Sequence, residues 1–277
     1  MHQSILVFRN YRYLKWALAI VALALAFYIF HDPAYGEANG GTWLGYTLGG
    51  FGAFLILWLM WFGIRKRQYG AGGASVEDWL SAHIYLGLAL IIIATLHTGF
   101  QFGWNVHTLA YVLMMVVILS GVTGLFMYLN VPELMTNNRR GMTLAQIMRE
   151  IADLDAECRE AALGLGDEIN RIILSAAQKT RIGGGVLRQL SGDDPDCPAR
   201  EAGEVVKHLA NNAPPEQAEG FRKVLALLVR KEELLTRARR DLRYKGLLDV
   251  WLFVHVPLSF ALLGTLIAHV VAVFFYW

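Results

Sequence analysis

The stretch Trp79–Phe100, WLSAHIYLGLALIIIATLHTGF, decides how this chain folds. It is long enough to cross the roughly 30 Å hydrocarbon layer as one helix. It contains no Lys, Arg, Asp or Glu, and its most polar side chains are His83 and His97, fourteen residues apart. Fourteen helical steps of about 100° return to within about 40° of the starting face and climb about 21 Å. Both imidazoles therefore share a face, near opposite edges of the layer. A second apolar stretch, Leu247–Trp277, repeats the spacing with His255 and His269. Imidazoles inside a span are costly to place, so they face a bundle interior and carry a function.

Composition extends this reading to the whole chain. Of 277 residues 55% are hydrophobic and only 17% are charged, which excludes an ordinary soluble domain. Five stretches qualify as spans: Leu14–Phe30, Trp43–Ile64, Trp79–Phe100, Val106–Leu129 and Leu247–Trp277. The expected fold is all-α, a transmembrane bundle of five spans with a helical cytoplasmic insert between spans four and five. Residues 1–130 form spans one to four, 131–246 the insert and 247–277 span five.

The basic residues set the orientation. Arg9, Arg12 and Lys15 precede the first span, and Arg65, Lys66 and Arg67 follow the second. Every other Lys and Arg lies between Arg139 and Lys245. The positive-inside rule places the N-terminus, the second loop and the insert in the cytoplasm. The C-terminus lies on the other side, with Phe274, Phe275, Tyr276 and Trp277 at the interface. The first stretch admits a second reading as a signal peptide with Ala34 or Ala38 near the cleavage point. Retention is expected, because His31, Asp32 and Pro33 come directly after it and the topology works with it in place.

The insert reads as soluble helices. Thr143 and Gln146 make a capping-box pattern, and Leu144, Ile147, Met148, Ile151 and Leu154 recur at helical spacing up to about Leu163. A second helix starts near Asp167 with Ile169, Ile172 and Ile173 on its apolar side. Gly183–Pro198 reads as a loop. A long helix after Pro214 and Pro215 carries Phe221, Val224, Leu225, Leu228 and Leu235 and continues into the last span. Acidic and basic residues nearly balance, with a net charge of +2, and no nucleic-acid footprint is visible. Cys158 and Cys197 fall in the insert, where thiols stay reduced. No C-x-x-C-H occurs, which excludes covalent haem attachment of the c type.

Spans three and five run in the same direction, so His83 stands level with His255 and His97 with His269. Two imidazoles per iron suffice to anchor haem b, and saturating the iron favours electron transfer over oxygen binding. The expected cofactors are two non-covalent haem b groups: His83 and His255 as ligands of the inner iron, His97 and His269 of the outer. Gly87, Gly99 and Gly264 are expected to let backbone approach a flat macrocycle, and Pro257 to re-aim His255. Each glycine also reads simply as helix packing, and the histidines as structural hydrogen-bond partners. Zinc or copper fits poorly, because its ligands must cluster within a few ångströms. His107 reads as an interfacial residue, a propionate partner or a substitute ligand. Arg65, Lys66, Arg67 and Lys245 are candidate inner propionate partners, or ordinary positive-inside charge. His2, His31 and His208 lie outside the spans and receive no role.

With His83/His97 and His255/His269 on two spans separated by one other, the chain resembles the membrane dihaem cytochromes b. It is most similar to the ferric-reductase-like transmembrane group that includes the NADPH oxidases. Trp79-Leu80-Ser81-Ala82-His83 and Trp251-Leu252-Phe253-Val254-His255-Val256-Pro257 also look like segments of bacterial cytochrome-b-like membrane subunits. The resemblance covers spans two to five and implies stacked b haems and transmembrane electron transfer. The insert is not part of the group's usual pattern. No flavin or nicotinamide domain is expected after the last span, and the insert carries no G-x-G-x-x-G. The expected function is that of an electron-transfer subunit of the bacterial inner membrane, relaying electrons between redox partner proteins or quinone. Tyr85, Tyr111, Ser120 and Thr123 are candidate polar groups for a quinone site. Expected partners are membrane lipid, redox proteins on one or both faces and a second copy of the chain, and not nucleic acid. The rival readings are a haem-free scaffold or sensor with a helical output domain, and a metal-ion transporter.

Overall fold

In a computed structural model, residues 5–31, 39–65, 75–192, 194 and 196–275 are described. Several expectations fall outside them: the signal-peptide junction, Lys66, Arg67, His2, Tyr276 and Trp277. The helices are α1 (Phe8–Ile29), α2 (Trp43–Arg65), α3 (Val76–Thr98), α4 (Val106–Arg139), α5 (Leu144–Ala162), α6 (Asp167–Lys179), α7 (Val186–Ser191), α8 (Pro198–Ala210) and α9 (Ala218–Phe275). No strand occurs among the described residues. Five of the helices are long and apolar enough to cross a membrane. By packing, the chain divides into two compact units, Met1–Leu125 with Leu252–Trp277, and Phe126–Trp251.

In the first unit, α3 is the central rod. Ala82, Ala89, Ile93 and Leu96 are buried on one stripe, at spacings of seven, four and three residues that keep side chains on one helical face. Against it α2 sets Leu44, Leu48, Gly52, Leu55 and Ile56, and α1 the small residues Ala17 and Ala24. The outward faces keep Trp16, Leu23, Phe54, Phe253 and Phe260 exposed, an apolar surface of the kind that a membrane protein turns to lipid.

Polar contacts fix the directions. Ser75 and Asp78 form a capping box at the start of α3, which satisfies two of the free amides there. The Asp78 carboxylate is 1% exposed and also accepts from the Tyr13 hydroxyl at 3.0 Å and pairs with Arg9 at 3.2 Å. The start of α1 thus lies beside the start of α3, and Tyr28 meets Phe100 edge-on at their far ends; the two helices are parallel. The start of α2 meets the end of α3 and the end of α2 meets its start, so α2 is antiparallel to both. Asn105 caps α4 by accepting from the Thr108 amide at 3.0 Å, and Tyr111 one turn on joins its hydroxyl to that of Thr95 at 2.9 Å.

In the second unit, the Thr143/Gln146 capping box opens α5. Cys158, Ile169, Ile173, Val206, Phe221 and Val224 build one core cluster, and Ile147, Ile151, Leu154, Leu234 and Leu235 another. Met148, placed by spacing on the inner face of α5, is 42% exposed. The segment read as a loop contains the short helix α7. After it comes α8, which starts with Pro198 in the first turn, where a missing amide hydrogen costs nothing. Its buried Ala199, Ala202 and Val206 repeat every three to four residues, a weak signal because two are alanines. α4 continues through Pro132 to Arg139 instead of ending near Leu129.

Candidate functional site

The four span histidines and His107 all belong to the first unit. His83 Nδ1 lies 3.1 Å from the Leu59 carbonyl oxygen of α2, and the Phe62 ring stands 5.2 Å from its own. His97 Nδ1 lies 2.8 Å from the Gly45 carbonyl oxygen, one helix-length away on the same α2. A carbonyl only accepts, so each imidazole carries its hydrogen on Nδ1 and presents a lone pair at Nε2. His255 Nδ1 lies 3.2 Å from the Ser120 hydroxyl of α4. His269 Nδ1 lies 2.5 Å from Nδ1 of His107, also on α4. All four Nδ1 atoms are thus engaged by a neighbouring helix. A metal-bound histidine characteristically fixes its ring in the same way, through its other nitrogen.

The His97 and His269 rings, expected to face each other, lie with centroids 5.9 Å apart and planes at 79°. Metal–imidazole bonds are about 2 Å long, so two imidazoles opposed across one ion have centroids about 6 Å apart. The spacing fits. Among the described residues no group of three or more His, Cys, Asp or Glu is arranged to hold a metal ion unaided. Haem asks the protein for only two ligands, and His97 with His269 have the spacing for one such group.

The chain matches no family model, no curated protein and no solved structure. Its own atoms therefore carry the functional reading.

An added Cβ on Gly87 or Gly264 meets no protein atom within 4 Å, and Gly99 caps α3 in the left-handed conformation at φ 56°. The glycines that press on the imidazoles sit on the neighbouring segments. A Cβ on Gly49 comes within 2.6 Å of His97 Cε1, one on Gly40 within 3.7 Å, and one on Gly121 within 3.6 Å of His255 Cε1. The reason is geometric: a helix turns its histidine towards a partner, so the partner must be small. Gly45-x-x-x-Gly49 is a small-residue pattern typical of close helix contacts, and it was the readable signal. Pro257 leaves α9 continuous, and the Ser259 hydroxyl donates to the His255 carbonyl at 2.8 Å. His107, at the start of α4, packs its ring on that of His269 with centroids 4.6 Å apart.

The polar groups considered for quinone each have a partner within the protein. Tyr85 donates to the Leu6 carbonyl at 2.7 Å, Tyr111 meets Thr95, Ser120 meets His255, and Thr123 donates to the Leu119 carbonyl at 3.1 Å.

Proposed function

We propose that the protein is a dihaem b-type cytochrome that relays electrons across a bacterial inner membrane, between partner redox proteins or quinone. The observation that carries this reading is the engagement of all four Nδ1 atoms by neighbouring helices. A structural histidine needs only one satisfied polar atom somewhere; four held through the same atom is the way metal-bound imidazoles are oriented by their surroundings.

In this reading His83 and His255 hold one haem, His97 and His269 the other. When bound, the two groups supply one-electron carriers spaced along the span. The chain contributes orientation and dryness. The Leu59 and Gly45 carbonyls lock the His83 and His97 tautomers. The Phe62 ring beside His83 shields that imidazole from water. The apolar stripe Ala89, Leu90 and Ile93 fills the interval between the two histidines of α3 with side chains that carry no charge. The helical insert is suited to docking a cytoplasmic partner or a second copy of the chain.

The test is the dithionite-reduced minus oxidised visible spectrum of the purified protein, with a pyridine haemochrome assay for haem per chain. Two b haems are expected, falling to one in His83→Ala. A folded, colourless protein overturns the reading and leaves a haem-free scaffold.

A further inference from the structure

Of the four Nδ1 partners, three are backbone carbonyl or hydroxyl oxygens and one is a second imidazole. The difference matters chemically. An oxygen of the backbone can only accept, so it dictates the tautomer of its histidine. Between two Nδ1 atoms 2.5 Å apart there is room for a single hydrogen, and either ring can own it. If His107 owns it, His269 must carry its own hydrogen on Nε2 and has no lone pair there. If His269 owns it, Nε2 is a ligand atom. The state of His107 therefore decides what His269 can do.

His107 is placed for this by its own surroundings. It is the second residue of α4, in a turn fixed by the Asn105 cap on the Thr108 amide and by the Gly103 amide donating to the Thr108 hydroxyl at 3.1 Å. Tyr111, four residues on, ties the same helix face to Thr95 of α3. The ring planes of His107 and His269 cross at 86°, which sets the azimuth of the His269 ring as well as its tautomer.

We propose that His107 is the positioning residue of His269: it accepts the Nδ1 hydrogen, holds the ring edge-on, and leaves Nε2 to bind iron. This rests on the dihaem reading. The Nδ1 atoms of His83, His97 and His255 meet oxygens instead, so the effect is confined to one of the two haem sites. Loss of such a partner typically weakens metal retention about 10- to 100-fold.

The experiment compares wild type with His107→Leu, His107→Asn and His107→Gln in the full-length protein purified in detergent. It reads haem per chain, the low-spin ferric signals in electron paramagnetic resonance, and both midpoint potentials. His107→Leu is expected to lose one haem preferentially, or to shift one low-spin signal and one potential while the other set stays put. Asn carries its amide oxygen near the place of Nδ1, so His107→Asn keeps two haems and a wild-type signal. Gln carries it a bond further out and does not rescue. The Asn/Gln contrast remains decisive where the Leu variant fails to fold. Two haems with unchanged signals in His107→Leu, or equal behaviour of Asn and Gln, overturns the proposal. His269→Ala retaining two haems also overturns it, because His107 is then the ligand itself. A wild-type protein with no haem removes the dihaem reading and the proposal with it.

Discussion

The imidazoles of the site and the buried charges of the helical unit are satisfied by different means. In the first unit the half-buried imidazoles of the site meet neutral partners, beside one ion pair, Asp78 with Arg9, at the start of α3. In the helical unit the charges are tied to opposite charges: Lys231 to Asp155 at 2.6 Å, Arg139 to Asp241 through two bonds of 2.6 and 2.8 Å, and Arg239 to Asp194 at 2.7 Å. Lys231, Asp194 and Asp241 are all less than 5% exposed. A neutral imidazole tolerates partial burial with a single hydrogen bond, whereas a buried charge requires an opposite charge beside it. The first arrangement suits a site and the second a scaffold.

The largest effect expected from this difference is in the scaffold. Removing one member of a buried pair leaves an uncompensated charge and costs about 3–5 kcal/mol. Lys231→Ala leaves Asp155, 21% exposed, without its partner and empties the space filled by the buried lysine stem, so it should open the helical unit. Cys197, 1% exposed in the same unit, reports it: its trapping by a thiol reagent should accelerate by about two to three orders of magnitude. Replacing both partners, Lys231→Met with Asp155→Leu, should return most of that stability, as buried pairs exchanged for apolar ones commonly do. Failure of the double variant to recover means that the pair does more than neutralise itself.

The next effect belongs to the site. Gly49→Ala puts a methyl group within 2.6 Å of His97 Cε1, so the ring must leave its Gly45 carbonyl. Haem retention at the His97 end is expected to fall about 10- to 100-fold, seen as a titratable loss of one haem per chain. Gly50→Ala, one residue on and on the exposed side of α2, where an added Cβ meets nothing, should keep both. Equal tolerance of the two substitutions breaks the claim that Gly49 makes room for the imidazole.

These residues mark where the sequence was legible. The spans and the histidine pairs are visible because hydropathy and a fourteen-residue interval are properties of single helices. The capping box at Thr143 is visible because it is local. Gly49 and His107 are legible only in part: Gly45-x-x-x-Gly49 marks a close helix contact and His107 is a histidine at the edge of a span, but that each meets an imidazole of another helix is seen only in the packing. Asp78 is similar: only packing brings Tyr13 and Arg9 to the same carboxylate. The helix α8 escapes because alanines carry its inner face. Buried Lys231 is indistinguishable in sequence from its solvated neighbours.

A smaller effect comes from Cys158, whose thiol burial pushes up to about 11 from an ordinary value of 9.0, with the Lys231 ammonium pulling the other way. A thiol held neutral by the fold favours the folded state at every pH below 9. That contribution is lost as pH climbs from about 9 to about 11, because the unfolded thiol ionises first. At pH 10 the loss amounts to about 1.4 kcal/mol. Wild type and Cys158→Ala should therefore converge in stability, or cross, between pH 8 and pH 10 when melted side by side. Parallel pH profiles contradict the burial argument.

The smallest expected effect is the sharpest comparison, because it sits one residue from the largest. Arg230 precedes Lys231 on α9 and pairs with Glu150 at 2.9 Å and with Glu233 at 3.3 Å. It has more ion-pair contacts than its neighbour, yet its side chain is 44% exposed against 1% for Lys231. Exposed pairs are screened by water and give up side-chain entropy to form, so each contributes about 0–1 kcal/mol. Arg230→Ala should accelerate Cys197 trapping by less than about fivefold, and added salt should narrow even that. If Arg230→Ala matches Lys231→Ala, contact number and not burial governs these pairs, and the contrast between the units fails at its base. If the two differ by about two orders of magnitude, the same helix carries a structural charge and an incidental one at adjacent positions, separated by solvent access alone.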